Sequence, residues 1–215
     1  MIVLWTLKKP LRCPSLVSQA KTESVKGGQR VRLTIPDDDS ATVLISDNTT
    51  VEDNSSVVVT LSVDKEVLNG FWVTVERADR SATAADADYT AETDTVTFTG
   101  IPGDTHSVSF NIGNDAKVED DETLTLSLGS VSRSGIVITD TGTVTIQNDD
   151  TAAVTIADVN VAENVASGTA TVTLTLDNAV QGGFQVDVST TDGSATVAGS
   201  DYTAVKSGTM LFSLI

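Results

Sequence analysis

One cysteine, one histidine, four prolines and nine aromatic residues are all that the 215-residue chain supplies of those types. A single cysteine (Cys13) rules out an internal disulfide framework and a CxxC zinc site. A single histidine (His106) rules out most histidine-based metal and triad chemistry, and its strand setting reads as a surface or edge position. No apolar run approaches the roughly 20 residues that cross a bilayer as a helix. The start, Met1 to Trp5, is too short for the apolar part of a signal peptide, and Lys8 and Lys9 lie on its wrong side. HExxH, GxSxG, phosphate-loop and EF-hand patterns are all missing, so nothing points to an enzyme. Paired carboxylates are too plentiful in this chain to indicate a glycosidase.

What is present is acid and β-branched residues. Thirty Asp and Glu stand against thirteen Lys and Arg, a net charge of −17, which disfavours nucleic acid and anionic membranes as partners. The charge is uneven. Residues 1–35 carry seven bases against Glu23 alone, a net +6, while residues 36–215 carry six bases against 29 acids. Val, Ile, Leu and Thr dominate, a composition suited to pleated sheet and opposed to disorder. The first two dozen residues show little periodicity and are expected to be poorly structured.

Self-comparison organises the remainder. Leu33–Asp47 (LTIPDDDSATVLISD) aligns with Val144–Asp158 (VTIQNDDTAAVTIAD) at an offset of 111, and Glu52 meets Glu163. The offset then becomes 113, through Leu61 and Leu174, Phe71 and Phe184, and SATAADADYTA (Ser81–Ala91) over SATVAGSDYTA (Ser194–Ala204). Residues 40–150 therefore read as one complete unit and 151–215 as a second copy lacking counterparts of about 104–150. Residues 1–39 read as a basic irregular head ending in VRLTIPDDD, the closing strand of a preceding copy. The whole is expected to be a window on a longer tandem array.

Within 40–150, alternation predicts seven strands at about 41–46, 55–63, 71–77, 94–99, 106–112, 122–128 and 142–147. That pattern suits an all-β, immunoglobulin-like Greek-key β-sandwich, one complete unit plus a truncated second, without the antibody-type cysteine pair. The truncated copy should hold about four of seven strands and leave apolar faces open, so that it aggregates, dimerises through its edge or stays loosely ordered. Phe71 and Trp72 are adjacent in one strand, so one must point outward, where Trp72 would serve as partial cover or a sugar-stacking platform. Tyr89 and Tyr202 read as packing anchors. Asn48 and Asn54 each open a glycosylation sequon, meaningful only in a eukaryotic secretory pathway.

The acids fall in turns: Glu52-Asp53, Asp86 to Asp88, Asn114 to Glu122, and Asn148 to Asp150. Antiparallel strands alternate in direction, so these four places are expected at one rim of the sandwich. Converging carboxylates repel one another, and calcium, which takes 6–8 oxygen ligands at about 2.3–2.6 Å, suits such a rim better than nitrogen- or sulfur-seeking metals.

Glu52, SATAADADYTA, F-x-x-x-x-G-D (Phe98–Asp104), ND..VEDDET and TVTIQNDD together resemble the Calx-beta domain family, known from sodium/calcium exchangers and from tandem repeats of bacterial surface proteins. The resemblance spans 40–150 fully and 151–212 in part. It implies calcium ligands at Glu52, Asp88, Asn114, Asp115, Glu119, Glu122, Asn148, Asp149 and Asp150, with a backbone carbonyl near Lys117. Asn114 and Asn148 stand where calcium-binding members commonly carry Asp, and Lys117 adds positive charge, so one or two weakly held ions are expected, at about 10⁻⁵–10⁻³ M. The second unit keeps only Glu163 and Asp201 of the set and is not expected to close a site. The resemblance implies an extracellular or cell-surface repeat of bacterial type, stiffened by calcium, whose partners are neighbouring repeats. A regulatory calcium sensor on a transporter, or an adhesion module gripping a cell-surface protein or glycan, are the alternatives.

Overall fold

Described in the computed structural model are residues 20–24, 30–34 and 39–212. Cys13 and most of the basic head lie outside them. Among the described residues, fifteen strands run in chain order: β1 Ala20–Ser24, β2 Arg30–Thr34, β3 Ala41–Ile45, β4 Asn48–Val51, β5 Ser56–Val63, β6 Phe71–Asp79, β7 Thr93–Phe98, β8 Thr105–Asn111, β9 Glu122–Val131, β10 Ile136–Val137, β11 Thr141–Gln147, β12 Val154–Ile156, β13 Leu174–Leu176, β14 Phe184–Val188 and β15 Gly208–Phe212. Among the described residues no helix is long and apolar enough to cross a membrane. β1 and β2 form an antiparallel hairpin from Ala20↔Thr34 to Ser24↔Arg30. Residues 20–24 are thus regular, contrary to the expectation for that end of the head, because β2 offers them a pairing edge.

By its contacts the chain forms two compact units, Met1–Gly113 with Glu122–Ile146, and Asn114–Asp121 with Gln147–Ile215. The first unit is the β-sandwich. One sheet runs β10-β3-β5-β8 and the other β4-β11-β9-β6-β7. All seven expected strands are present. The chain's alternation explains them: in β5 every second residue from Val57 to Val63 is buried while its neighbours face water. Val57, Val59 and Leu61 lie opposite Phe110, Val108 and His106 of β8, and Leu124 of β9 lies opposite Val144 of β11.

A single apolar cluster joins both sheets, including Val43, Leu61, Val73, Phe98, Leu124 and Val144. Phe71 and Phe98 stack at 4.9 Å, and the His106 ring meets Phe98 edge-on at 4.9 Å from edge strand β8. Phe71 is buried and Trp72 is 40% exposed, as their alternation requires. The guanidinium of Arg77 in one sheet lies 4.4 Å from the ring centre of Phe110 in the other and pairs with Asp94. It therefore bridges the layers by a cation–π contact with its charge balanced.

Besides β1, two further elements were not expected. β4 follows β3 after a two-residue break and joins the opposite sheet, so the first strand is split between layers. β10 is a two-residue strand that pairs in parallel with β3.

The second unit contains two antiparallel hairpins, β12–β13 and β14–β15, with Phe184 stacked on Phe212 at 5.2 Å. It also contains an isolated parallel bridge between Val118 and Val180.

Candidate metal centre

In the first unit the site begins at Glu52, in the turn after β4. It is buried, at 8% exposure. A carboxylate so withdrawn from water needs positive charge or hydrogen-bond donors around it.

Asp88 sits in the turn between β6 and β7, and the sequence builds that turn from its own side chains. Asp79 Oδ1 accepts from the Tyr89 hydroxyl at 2.5 Å and from the Ala84 N–H at 3.0 Å. These bonds hold the Asp79 carboxyl below the usual carboxylate range, the Tyr89 bond being the larger cause. Burial, reinforced by the Asp79 bond, pushes the Tyr89 hydroxyl up to about 12. The Thr83 N–H donates to Asp88 Oδ2 at 2.7 Å, which fixes one oxygen of that carboxylate. Ala87 adopts φ of 72°, a left-handed conformation uncommon outside glycine.

The Gly113 N–H donates to the Asp88 carbonyl at 2.9 Å, and a Cβ at position 113 would lie 2.0 Å from the Ala87 carbonyl oxygen. Only glycine allows β8 to leave so close to this turn. A carboxylate oxygen of Asp88 lies within 4.8 Å of one of Glu122, the residue that opens β9. Two like charges at that separation repel by on the order of 3 kcal/mol at an effective dielectric constant of about 20, a cost that a cation reverses.

In the second unit, segments 114–121 and 147–150 carry Asp115, Glu119, Asp120, Asp121, Asp149 and Asp150 against Lys117 alone, a net −5 over twelve residues. Asn148 ties the two segments together. Its Oδ1 accepts from the Glu119 N–H at 3.0 Å, its own N–H donates to Asp121 Oδ1 at 3.2 Å, and its Nδ2 donates to the Asp150 carbonyl at 3.2 Å. Carboxylate oxygens of Asp149 and Asp150 lie within 4.8 Å of each other. Asp115 Oδ1 accepts from the Lys117 N–H at 2.6 Å, and the Lys117 ammonium pairs with Glu119. Asn114 is exposed at the start of the loop.

The structure thus brings Asp88 to Glu122 in the first unit. In the second it brings Glu119, Asn148, Asp149 and Asp150 together. The oxygen donors are hard, with no sulfur or imidazole in the set, which fits calcium chemically.

Sequence reasoning missed Thr83, Asp121 and the role of Gln181, whose Oε1 accepts from the Asp120 N–H at 3.3 Å. The repeat carried a signal for Thr83, because Thr196 stands at the same offset and donates to Asp201 Oδ2 at 2.8 Å. In the second copy Glu163 and Asp201 are both exposed.

Comparison of the sequence with family models supplies the domain class. The Calx-beta domain family model matches residues 36–158 and 147–213, and the chain belongs to that family. Among solved structures, the apo-form Calx CBD1 domain is similar at 18% identity and a TM-score of 0.46, over 52% of this chain and all of that one. The calcium binding domain CBD12 of CALX1.1 is similar at 19% identity and a TM-score of 0.44, over 49% of this chain and 44% of that one. A non-cellulosomal cohesin from the hyperthermophilic archaeon Archaeoglobus fulgidus is similar at 14% identity and a TM-score of 0.33, over 50% of this chain and 91% of that one. No curated protein matches significantly.

Proposed function

We propose that this chain is a calcium-binding, non-enzymatic repeat module that uses the ion to hold successive repeats in register. The donors proposed are those that the resemblance implies: Glu52, Asp88, Asn114, Asp115, Glu119, Glu122, Asn148, Asp149 and Asp150. Membership of the Calx-beta family and the net −5 of the two acidic segments support the reading. The observation that carries it is a set of backbone bonds. Loop 114–121 belongs by sequence to the first repeat, yet its Val118 N–H donates to Ala179 at 2.9 Å and its Val118 carbonyl accepts from Gln181 at 2.8 Å, both residues of the second repeat. An ion that orders this loop would order the attachment too.

The weak affinity expected suits calcium-rich surroundings outside a cell, so the working assignment is an extracellular or surface repeat whose partners are neighbouring repeats. A transporter sensor would need binding in the micromolar range or tighter. Calorimetric titration with calcium and a magnesium control gives the affinity, and melting in EGTA against millimolar calcium gives the stabilisation. At a hundred times Kd, mass action adds about 2.7 kcal/mol, on the order of 10 °C in Tm for a domain of this size. Amide exchange at Val118 and Gln181 should slow with calcium. Identical melting curves in both solutions would end the calcium reading.

A further inference from the structure

The family resemblance offers Asn148 as a ligand, but its surroundings assign it different work. We infer that Asn148 is a positioning residue, a neutral clasp that fixes the backbone carrying Glu119 and Asp150 and so keeps their carboxylates placed for cations; this rests on the calcium reading above. A carboxamide offers an acceptor and a donor on one side chain. Here both ends are engaged: Oδ1 takes the Glu119 N–H and Nδ2 gives to the Asp150 carbonyl. Exchanging the amide's two ends would oppose donor to donor and acceptor to acceptor, so the network itself fixes the orientation. The backbone N–H of the same residue holds Asp121. One uncharged residue thereby restrains three acidic ones from two segments of the chain.

Aspartate would do this job badly. It keeps the acceptor for Glu119 but loses the donor, and it turns a carboxylate oxygen toward the Asp150 carbonyl. Asp37 occupies the corresponding position of LTIPDDD, at the offset of 111, so the Asn-to-Asp exchange is one the repeat itself samples.

The two roles predict opposite signs. Were Asn148 chiefly a ligand, Asn148→Asp would add charge to the ion's shell and tighten binding. As a clasp, its loss weakens binding by about tenfold, as removal of an outer partner of metal ligands typically does. The experiment is calorimetric titration of calcium into the full chain, wild type, Asn148→Asp and Asn148→Ala, with melting in EGTA and amide exchange at Glu119.

The expected result is a Kd about tenfold weaker in both variants, EGTA melting temperatures within a few degrees of wild type, and a Glu119 amide unprotected only in Asn148→Ala. Asn148→Asp binding as tightly as wild type or tighter overturns the clasp and makes Asn148 a ligand. Destabilisation in EGTA with an unchanged Kd overturns it in favour of a purely structural role. No calcium binding by wild type removes the calcium reading itself, and this role with it.

Discussion

Tyr89 donates to Asp79 at 2.5 Å in the first repeat, and Tyr202 donates to Asp192 at 2.6 Å in the second. Asp79 also takes the N–H of Ala84, as Asp192 takes that of Val197. The left-handed residues Ala87 and Ser200 correspond as well, with φ of 72° and 64°. Yet Ile45 is 7% exposed and its counterpart Ile156 is 61% exposed, while Val96, opposite Val73, is buried and Met210, opposite Val186, is exposed. The turn is written into eleven consecutive residues and forms wherever they occur. Burial is a property of the assembled sandwich. Among the described residues, the second repeat shows no counterparts of β8, β9 and β11, which in the first repeat contribute Val108, Phe110, Leu124, Leu126, Val144 and Ile146 to the core.

The sharpest way to break that contrast is a matched pair of core deletions. Leu61→Ala should cost about 2–5 kcal/mol, because a fully buried leucine leaves a cavity in a packed interior. Leu174→Ala, at the half-buried equivalent, should cost about 1 kcal/mol or less. Native-state hydrogen exchange read separately in β5 and β13 measures both. Equal losses would mean that the second repeat possesses a complete core after all.

Tyr89→Phe comes next and should destabilise β6, because it removes the hydroxyl's bond to Asp79; amide exchange in β6 reads the loss. Tyr202→Phe should cost less, since its bond to Asp192 is solvent-exposed and competes with water.

Titration gives the smallest and most selective test. The folded Tyr89 ionises at about 12 against roughly 10 when free, so its contribution is fully present below pH 10 and drains away as pH climbs from there toward 12. Asp79 is shifted the other way, so its contribution holds above about pH 4 and is lost as pH falls below. Melting temperature followed across pH should be level between these limits as far as this pair is concerned. Tyr89→Phe should flatten the alkaline fall.

The strands that could be read from sequence are those whose burial alternates in apolar residues. β5 and β8 announce themselves, whereas β4 (NTTV) buries Thr50 and carries no such rhythm, and β10 is too short to show one. β6 and β9 run further than expected, to Asp79 and Val131, because pairing between neighbouring strands, Asp79↔Leu124 and Val73↔Val131, extends them beyond their apolar alternation. The acidic turns were visible as composition. Alternating strand direction put the turns of Asp88 and Glu122 at one rim, but which two carboxylates meet across 34 residues depends on register, which local pattern does not contain. The clasp at Asn148 was hidden for another reason: a carboxamide looks the same in sequence whether it faces an ion or a peptide group.

One consequence follows from the divided first strand. Because β3 and β4 are nearly continuous in the chain yet belong to opposite layers, the layers are laced by a covalent thread of two residues, Ser46 and Asp47. Neither layer can fray far without tugging on the other, so the sandwich should come apart all at once.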